Sequence, residues 1–285
     1  MAAHHRRRVT EPDTLGALLD EAARTLGDRA EAALLLAHLS GRSRTALLAF
    51  AEASANPALV SALRELVARR VRGEPIAYLT GQRGFWRLAL AVSPAVLIPR
   101  PETELVVELA LARIDPLSAS TLLDLGTGSG AIALALALER PRAQVYASDA
   151  STPALALAQA NAALLELDRV QWARGDWWTP WQGQRFDLVA SNPPYIAAGD
   201  PHLAQGDLRF EPSAALIGGA DGLAALRTII AAAPVHLNPS GWLLLEHGHD
   251  QGAAVRDLLS AAGLVEVSTE HDLAGHERVS LGRAG

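Results

Sequence analysis

A chain of 285 residues has room for one large domain, or for a large domain and a small one. With 49% hydrophobic and 20% charged residues it has the material for a substantial core and not the makeup of a disordered protein. A net charge of −6, with arginine supplying all 25 basic residues, argues against a broad grip on nucleic acid, and the lack of cysteine excludes disulfides, thiolate metal sites and cysteine nucleophiles.

The charged start, Met1 to Arg8, has no apolar segment behind it and does not read as a signal peptide. His4-His5 and Arg6-Arg7-Arg8 read as a frayed terminus. No apolar run approaches the roughly 20 residues that span a bilayer. No membrane partner is therefore expected, and a cysteine-free chain suits the cytoplasm.

Helical periodicity begins at Thr14. Leu15, Leu18, Leu19 and Ala22 fall at i, i+3, i+4 and i+7 behind an N-cap at Asp13 or Thr14. Further helices are predicted over Arg29–Leu39, Ser43–Phe50 and Pro57–Arg72, with Gly41 and Asn56-Pro57 between them. Arg69, Arg70 and Arg72 sit where a helix dipole favours cations. Gly73-Glu74-Pro75 then ends the bundle. Phe85–Val92 and Ala95–Ile98 read as two strands about a turn at Ser93-Pro94. Pro101-Glu102-Thr103-Glu104 opens a helix over Leu105–Ile114, its acids placed for the dipole.

After Asp115-Pro116 strands and helices alternate. Strands are predicted near Thr121–Asp124, Gln144–Ser148, Val170–Arg174 and Phe186–Ala190, with helices at Ala131–Glu139 and Pro153–Leu165. Helix Gly222–Ala233, strand Gly241–Glu246, helix Gln251–Ala262 and strands Val265–Glu270 and Arg278–Leu281 follow. Such alternation predicts an α/β fold with a doubly wound, mostly parallel sheet and an antiparallel edge. The expected organisation is a helical domain over 1–72, a linking hairpin over 73–100 and the α/β domain over 101–285. Ala197–Gly219 has no predicted element, and loops that long are often functional lids.

Asp124-Leu125-Gly126-Thr127-Gly128-Ser129-Gly130 lies between the first strand of this alternation and a helix, the turn at which open α/β sheets bind ligands. Asp149 closes the next strand, where a carboxylate suits the two hydroxyls of a ribose. Gly126, Gly128 and Ala131 also satisfy the Gly-x-Gly-x-x-Ala pattern of nicotinamide-cofactor proteins. Two residues tilt the balance. Asp124 suits a cationic or amino-bearing ligand better than a pyrophosphate, and Trp177 offers a flat face for adenine, unless it belongs to the core. Adenine, ribose and a cationic methionine half together describe S-adenosylmethionine.

The second polar knot, Ser191-Asn192-Pro193-Pro194-Tyr195-Ile196, follows the apolar run Phe186–Ala190. Two prolines cannot continue a strand, since each lacks an N–H, and the residue before proline is held extended. The chain must leave the sheet abruptly, presenting an amide, carbonyls without sheet partners and an aromatic ring. That is a socket for a flat group bearing N–H donors.

With the glycine loop, Asp149 and Asn192-Pro193-Pro194-Tyr195 in this order, the chain resembles class I methyltransferases acting on planar nitrogen. Gly73-Glu74-Pro75-Ile76-Ala77-Tyr78-Leu79 and Leu97-Ile98-Pro99-Arg100-Pro101-Glu102-Thr103-Glu104 narrow the resemblance to the HemK/PrmC family, with Phe210-Glu211-Pro212 and Leu244-Leu245-Glu246-His247-Gly248 in accord. That family methylates the glutamine nitrogen of the Gly-Gly-Gln motif in class 1 peptide chain release factors. The resemblance implies that Gly126, Thr127, Gly128, Ser129 and Gly130 wrap the methionine half of S-adenosylmethionine, that Asp149 holds the ribose and that Trp177 lies by the adenine. It also implies that Asn192 touches cofactor and substrate together. The Asn192 side-chain oxygen and the Pro193 carbonyl would each accept one N–H of the substrate amide, Tyr195 would pack on the amide plane, and Pro194 would complete the substrate socket.

The implied partner is a release factor, with no direct nucleic-acid contact and the enzyme acting as a monomer. A ribosomal-protein glutamine methyltransferase is the nearer alternative. An adenine-N6 methyltransferase of DNA or RNA should carry a basic target-reading domain, and a nicotinamide-dependent oxidoreductase leaves Asn192–Tyr195 unexplained. His247-Gly248-His249 beside Glu246 has no third ligand at a familiar spacing, so no metal is expected.

Overall fold

The computed structural model describes residues 14–285, which fall into two compact units divided between Gly81 and Gln82. Asp13 and the segment Met1–Arg8 lie outside the described residues. The first unit is helical: α1 (Leu15–Leu26), α2 (Arg29–Ser40), α3 (Arg44–Ala49), α4 (Pro57–Val71) and α5 (Ile76–Thr80). Thr14, Asp28, Ser43 and Asn56 each cap a helix by accepting first-turn N–H groups. The stripe Leu15, Leu18, Leu19 and Ala22 packs with Leu35, Leu36 and Leu63 as the core of this unit.

Two expectations change here. Gly73-Glu74-Pro75 bends the bundle without ending it, because Glu74 pairs with Arg69 (2.8 Å) and the chain turns back to bury Leu79 in the same core. Arg70 likewise chelates Glu31 through Nε (2.7 Å) and Nη2 (2.6 Å). Arg69 and Arg70 are therefore engaged in ion pairs and do not act through the helix dipole alone.

The second unit opens on a hairpin, β1 (Gln82–Phe85) and β2 (Leu88–Ala91), whose turn is Trp86-Arg87 and not Ser93-Pro94. Trp86 adopts φ 55°, a conformation costly for a bulky residue, and anchors offset the cost. Its N–H donates to Glu104 (2.7 Å) and its ring Nε1 donates to Glu139 (2.8 Å). Both partners are distant in sequence, so the turn carried no local signature. Glu104 thus holds a turn as well as opening α6 (Glu104–Arg113). Ala95–Ile98 forms no strand, and Val96 and Ile98 are buried as irregular chain.

The α/β elements then follow much as predicted: β3 (Thr121–Leu125), α7 (Ala131–Glu139), β4 (Gln144–Asp149), α8 (Thr152–Leu164), β5 (Gln171–Arg174), β6 (Phe186–Ser191), α9 (Ala224–His236), β7 (Leu237–Glu246), α10 (Gly252–Ala261), β8 (Val265–His271) and β9 (Glu277–Arg283). The seven-stranded sheet has the order β5-β4-β3-β6-β7-β9-β8, with β9 antiparallel to both neighbours and the other pairs parallel. Strand alternation divides the core between the two faces. Leu122, Leu188 and Leu244 pack with α6 and α7, whereas Leu123, Val189 and Leu243 pack with α9 and α10. The strand order reverses between β3 and β6, which opens a crevice at their carboxyl ends.

Residues 197–219 return to this edge through three single 3-10 turns and close with a bridge between Ile196 and Ile217. Glu211 clasps the segment down, pairing with Arg100 and accepting the Ile98 N–H (3.2 Å). No helix among the described residues is long and apolar enough to cross a membrane.

Candidate functional site

A cavity of about 470 Å³ opens at the carboxyl edge of the sheet, within the second unit. Asp124, Gly126, Thr127, Gly128, Ser129, Asp149, Trp177, Asn192 and Pro194 all line it. Four strand ends converge there because parallel strands point their carboxyl ends the same way. Thr103 lines it too, and so do Pro212, Ala214 and Ala215 of the long loop. That loop is part of the wall.

The glycine loop is built for close approach. Gly126 and Gly128 take φ 71° and 57°, open to glycine and strained for other residues, and the Gly126 and Thr127 N–H groups both donate to the Ser148 carbonyl (2.9 Å each). Asp149 organises the loop: one oxygen accepts the Gly128 N–H (2.9 Å) and the other the Ser151 N–H (2.8 Å). Each oxygen keeps a second lone pair for a ligand.

Asp124 is buried, with 1% of its surface exposed. Its Oδ2 accepts the Thr127 hydroxyl (2.6 Å) and the Ala133 N–H (3.1 Å), whereas Oδ1 has no hydrogen-bond partner. Burial pushes this carboxyl up to about 7, with the Thr127 and Ala133 bonds pulling the other way. Asp124 thus brings to the cavity lining a buried carboxyl with one oxygen unpartnered within the protein.

The tryptophans divide. Trp177 lines the cavity, its ring over Gly126, while Trp178 is core: its Nε1 donates to the Ile229 carbonyl (3.1 Å) and its ring stacks on His236. Adjacent residues on opposite sides of a backbone cannot be told apart by type.

At the end of β6, Asn192 Nδ2 donates to Thr103 Oγ1 (3.0 Å), so the planar amide turns its oxygen away from that bond. Among the described residues the Asn192 Oδ1 and the Pro193 carbonyl accept no hydrogen bond. Pro193 is buried, and neither it nor Tyr195 nor Gly130 lines the cavity. Gly130 starts α7, where a Cβ would meet Leu134 at 3.0 Å. The Tyr195 hydroxyl donates to Glu246 Oε1 (3.1 Å), and burial raises its pKa well above the usual phenol range. The knot is clamped from outside. Gln251 donates to the Tyr195 carbonyl (3.0 Å), and a Cβ at Gly222 would lie 2.3 Å from that same oxygen.

Sequence reasoning missed two supports. Asn161, 1% exposed, bonds the Ala91 N–H (2.8 Å) and carbonyl (3.0 Å) and the Ser129 carbonyl (2.9 Å), tying the hairpin to the glycine loop. An asparagine inside an alanine- and leucine-rich helix, where its propensity is poor, was the available signal. Thr103 stands in the Pro-Glu-Thr-Glu run, but its bond to Asn192 spans 89 residues. His247 is core, its ring nitrogens engaged by the Gly248 carbonyl and the Ser280 hydroxyl (2.8 Å each). No group of three or more potential metal ligands occurs among the described residues.

Residues 103–208 match the model of the methyltransferase small domain, and residues 17–81 that of the PrmC N-terminal domain. The chain is similar to the release factor glutamine methyltransferase of Xylella fastidiosa (strain Temecula1), with 54% identity covering 90% of this chain and 93% of that protein. It is 51% identical to the protein of the same description from Pseudomonas aeruginosa, over 90% of this chain and 92% of that one. A crystal structure of a methyltransferase from Pyrococcus furiosus shares the fold, at 19% identity and a TM-score of 0.54, covering 76% of this chain and 97% of that one.

Proposed function

As the chain belongs to the release factor glutamine methyltransferase family, we propose that the cavity seats S-adenosylmethionine beside a socket for the glutamine side chain of a Gly-Gly-Gln release-factor loop. The observation that carries this reading is the meeting of the orphan Asp124 oxygen with Asp149, Trp177 and Asn192 on one cavity wall. A volume of about 470 Å³ falls within the range of small-ligand sites.

Asp124 would hold the cationic methionine half, the glycine loop would follow its backbone, Asp149 would take the ribose hydroxyls and Trp177 would lie on the adenine. When bound, the cofactor supplies a methyl group on a positively charged sulfur. An amide nitrogen is a weak nucleophile, its lone pair being delocalised into the carbonyl. Asn192 Oδ1, on the cavity wall, would hold one of its N–H groups, and the Pro193 carbonyl, without a partner in the protein though Pro193 itself lies behind the cavity lining, would hold the other. Fixing both leaves the nitrogen one orientation, and orientation of this kind contributes on the order of several kcal/mol. The same acceptors favour the positive charge that develops on nitrogen. The helical unit is the proposed grip on the release factor. Transfer of labelled methyl to a release factor, compared with a ribosomal protein, DNA and ribosomal RNA, tests this. Methylation only of the release factor, lost when its motif glutamine is changed, is expected; methylation of nucleic acid in its place would overturn it.

Asp124 gives a pH prediction. Its carboxyl sits near 7 in the free protein, and a bound cation favours the ionised form. Cofactor affinity should therefore rise as pH goes from about 6 to about 8, with proton release on binding below that range's upper end. Calorimetry in buffers of different ionisation enthalpy measures both. A flat affinity with no proton release would remove Asp124 from the cation site.

A further inference from the structure

Two irregular stretches form part of the cavity wall, and one buried acid joins them. Residues 95–100 supply Leu97 and Pro99 to the lining, and the long loop supplies Pro212, Ala214 and Ala215. Irregular chain has no ladder to fix its course, so its buried backbone groups need partners from elsewhere. The Pro99 carbonyl accepts the Arg83 Nε–H (3.2 Å). Glu211 adds two contacts: Oε2 accepts the Ile98 N–H (3.2 Å), and Oε1 accepts Nη2 of Arg100.

The Glu211 side chain is fully buried, while that of Arg100 keeps 27% of its surface exposed. Such a pair is a poor device for stability, because desolvating the carboxylate offsets much of the attraction. Burial raises the Glu211 pKa even against the pull of Arg100 and the Ile98 N–H. What the pair does supply is register. Each carboxylate oxygen has its own donor, so the loop sits on residues 98–100 in one way.

Both stretches are also tied to the knot after β6. Arg100 leads directly into the 3-10 turn Pro101–Thr103, whose Thr103 hydroxyl accepts the Asn192 Nδ2 (3.0 Å). From the loop, the Leu216 carbonyl accepts the Ile196 N–H (2.9 Å), and the Gly218 N–H donates to the Ile196 carbonyl (2.8 Å). Knot, residues 95–103 and loop thus form one hydrogen-bonded circuit, which Glu211 closes. Every lining residue from 95–99 and 212–215 is apolar, and Glu211 itself does not face the cavity. Water that reached Asn192 Oδ1 would compete with a substrate N–H, and a hydrogen bond strengthens where water is shut out. A glutamine amide also arrives on two methylenes, which suit an apolar collar.

We propose that Glu211 is a positioning residue: bonded to Arg100 and the Ile98 N–H, it locks residues 95–99 and 212–215 into an apolar collar beside Asn192 that orients the substrate glutamine. The role rests on the Asn192 socket proposed above.

Glu211→Ala in the full chain tests it. The kcat for methyl transfer to release factor should fall roughly 10- to 100-fold, the scale of losing hydrogen bonds to a charged group. The KM for release factor and the cofactor Kd should each stay within about threefold, because the clasp orients the glutamine and touches neither the rest of the factor nor the cofactor wall. The calorimetric stoichiometry of cofactor binding should be that of the unaltered protein, which a partly unfolded variant would not keep. Glu211→Gln can satisfy one of the two donors and should fall between. Arg100 meets Glu211 through a single nitrogen, so Arg100→Lys should retain most activity and Arg100→Met should lose it. The double variant Glu211→Ala with Arg100→Met should be no worse than Glu211→Ala alone, as for one shared contact.

Full kcat in Glu211→Ala beside an inactive Asn192→Ala would overturn the positioning role and leave the socket standing. Full activity in both would overturn the socket. A cofactor Kd that rises as far as kcat falls would also overturn the proposal, since the two stretches would then serve the cofactor. Should Glu211→Ala fail to fold, the contrast between Arg100→Met and Arg100→Lys decides: equal kcat in the two overturns it.

Discussion

Asn192→Ala is expected to reduce methyl transfer by about 10²–10³-fold or more, the scale seen when one group aimed at developing charge is removed, while cofactor affinity changes only a few-fold. The reason is local. Asn192 brings the one side-chain acceptor at the end of β6 into the cavity, and its amide is already oriented by Thr103. Alanine removes that acceptor and leaves a substrate N–H without a partner. The Pro193 carbonyl survives the change, so the substrate amide keeps one of its two proposed anchors and can rotate about it. The cofactor wall is left intact, because Asp124 and Asp149 lie at the carboxyl ends of β3 and β4, and Trp177 in the loop after β5, and none of them depends on Asn192. Single-turnover transfer to release factor, paired with calorimetric cofactor binding, separates the two effects. Near-full transfer by this variant would remove the socket from the chemistry.

Asp149→Ala is the second large effect, and it falls on binding. The side chain holds two backbone N–H groups, those of Gly128 and Ser151, and so shapes the glycine loop before any ligand arrives. Hydrogen bonds to a charged acceptor contribute about 1.5–3 kcal/mol each. Losing both, together with the proposed ribose contacts, should raise the cofactor Kd by roughly 10²-fold or more. Asp149→Asn keeps an acceptor for one N–H and should fall between wild type and alanine. Tryptophan fluorescence on titration reports the binding once a Trp177→Phe variant separates the signal of this cavity-lining ring from that of the other five tryptophans. An alanine variant that binds within about threefold of wild type would remove Asp149 from the cofactor site.

Particular residues show what could be read along the chain and what could not. The strand and helix pattern from Thr121 onward was legible because buried parallel strands are short apolar runs and the helices between them are bounded by capping residues and glycines. The hairpin was displaced because its turn is set by Glu104 and Glu139 reaching Trp86 from elsewhere in the chain. Phe85–Val92, with its apolar alternation, looked like one strand. In the site, Trp177 and Trp178 were indistinguishable by type, and only the direction of each ring separates cavity wall from core.

The sequence by itself determined the carboxyl-edge chemistry: glycines where the backbone must take positive φ, an acid at the end of β4, and two prolines that force the chain out of the sheet after Asn192. Those are properties of single residues and their neighbours, so they are written where they act. Only the tertiary structure decided what orients them. Thr103 meets Asn192 across 89 residues, Asn161 meets Ala91 across 70, and Tyr195 meets Glu246 across 51. A hydrogen bond depends on distance and direction in space, and no spacing along the chain encodes either once the partners sit on different elements.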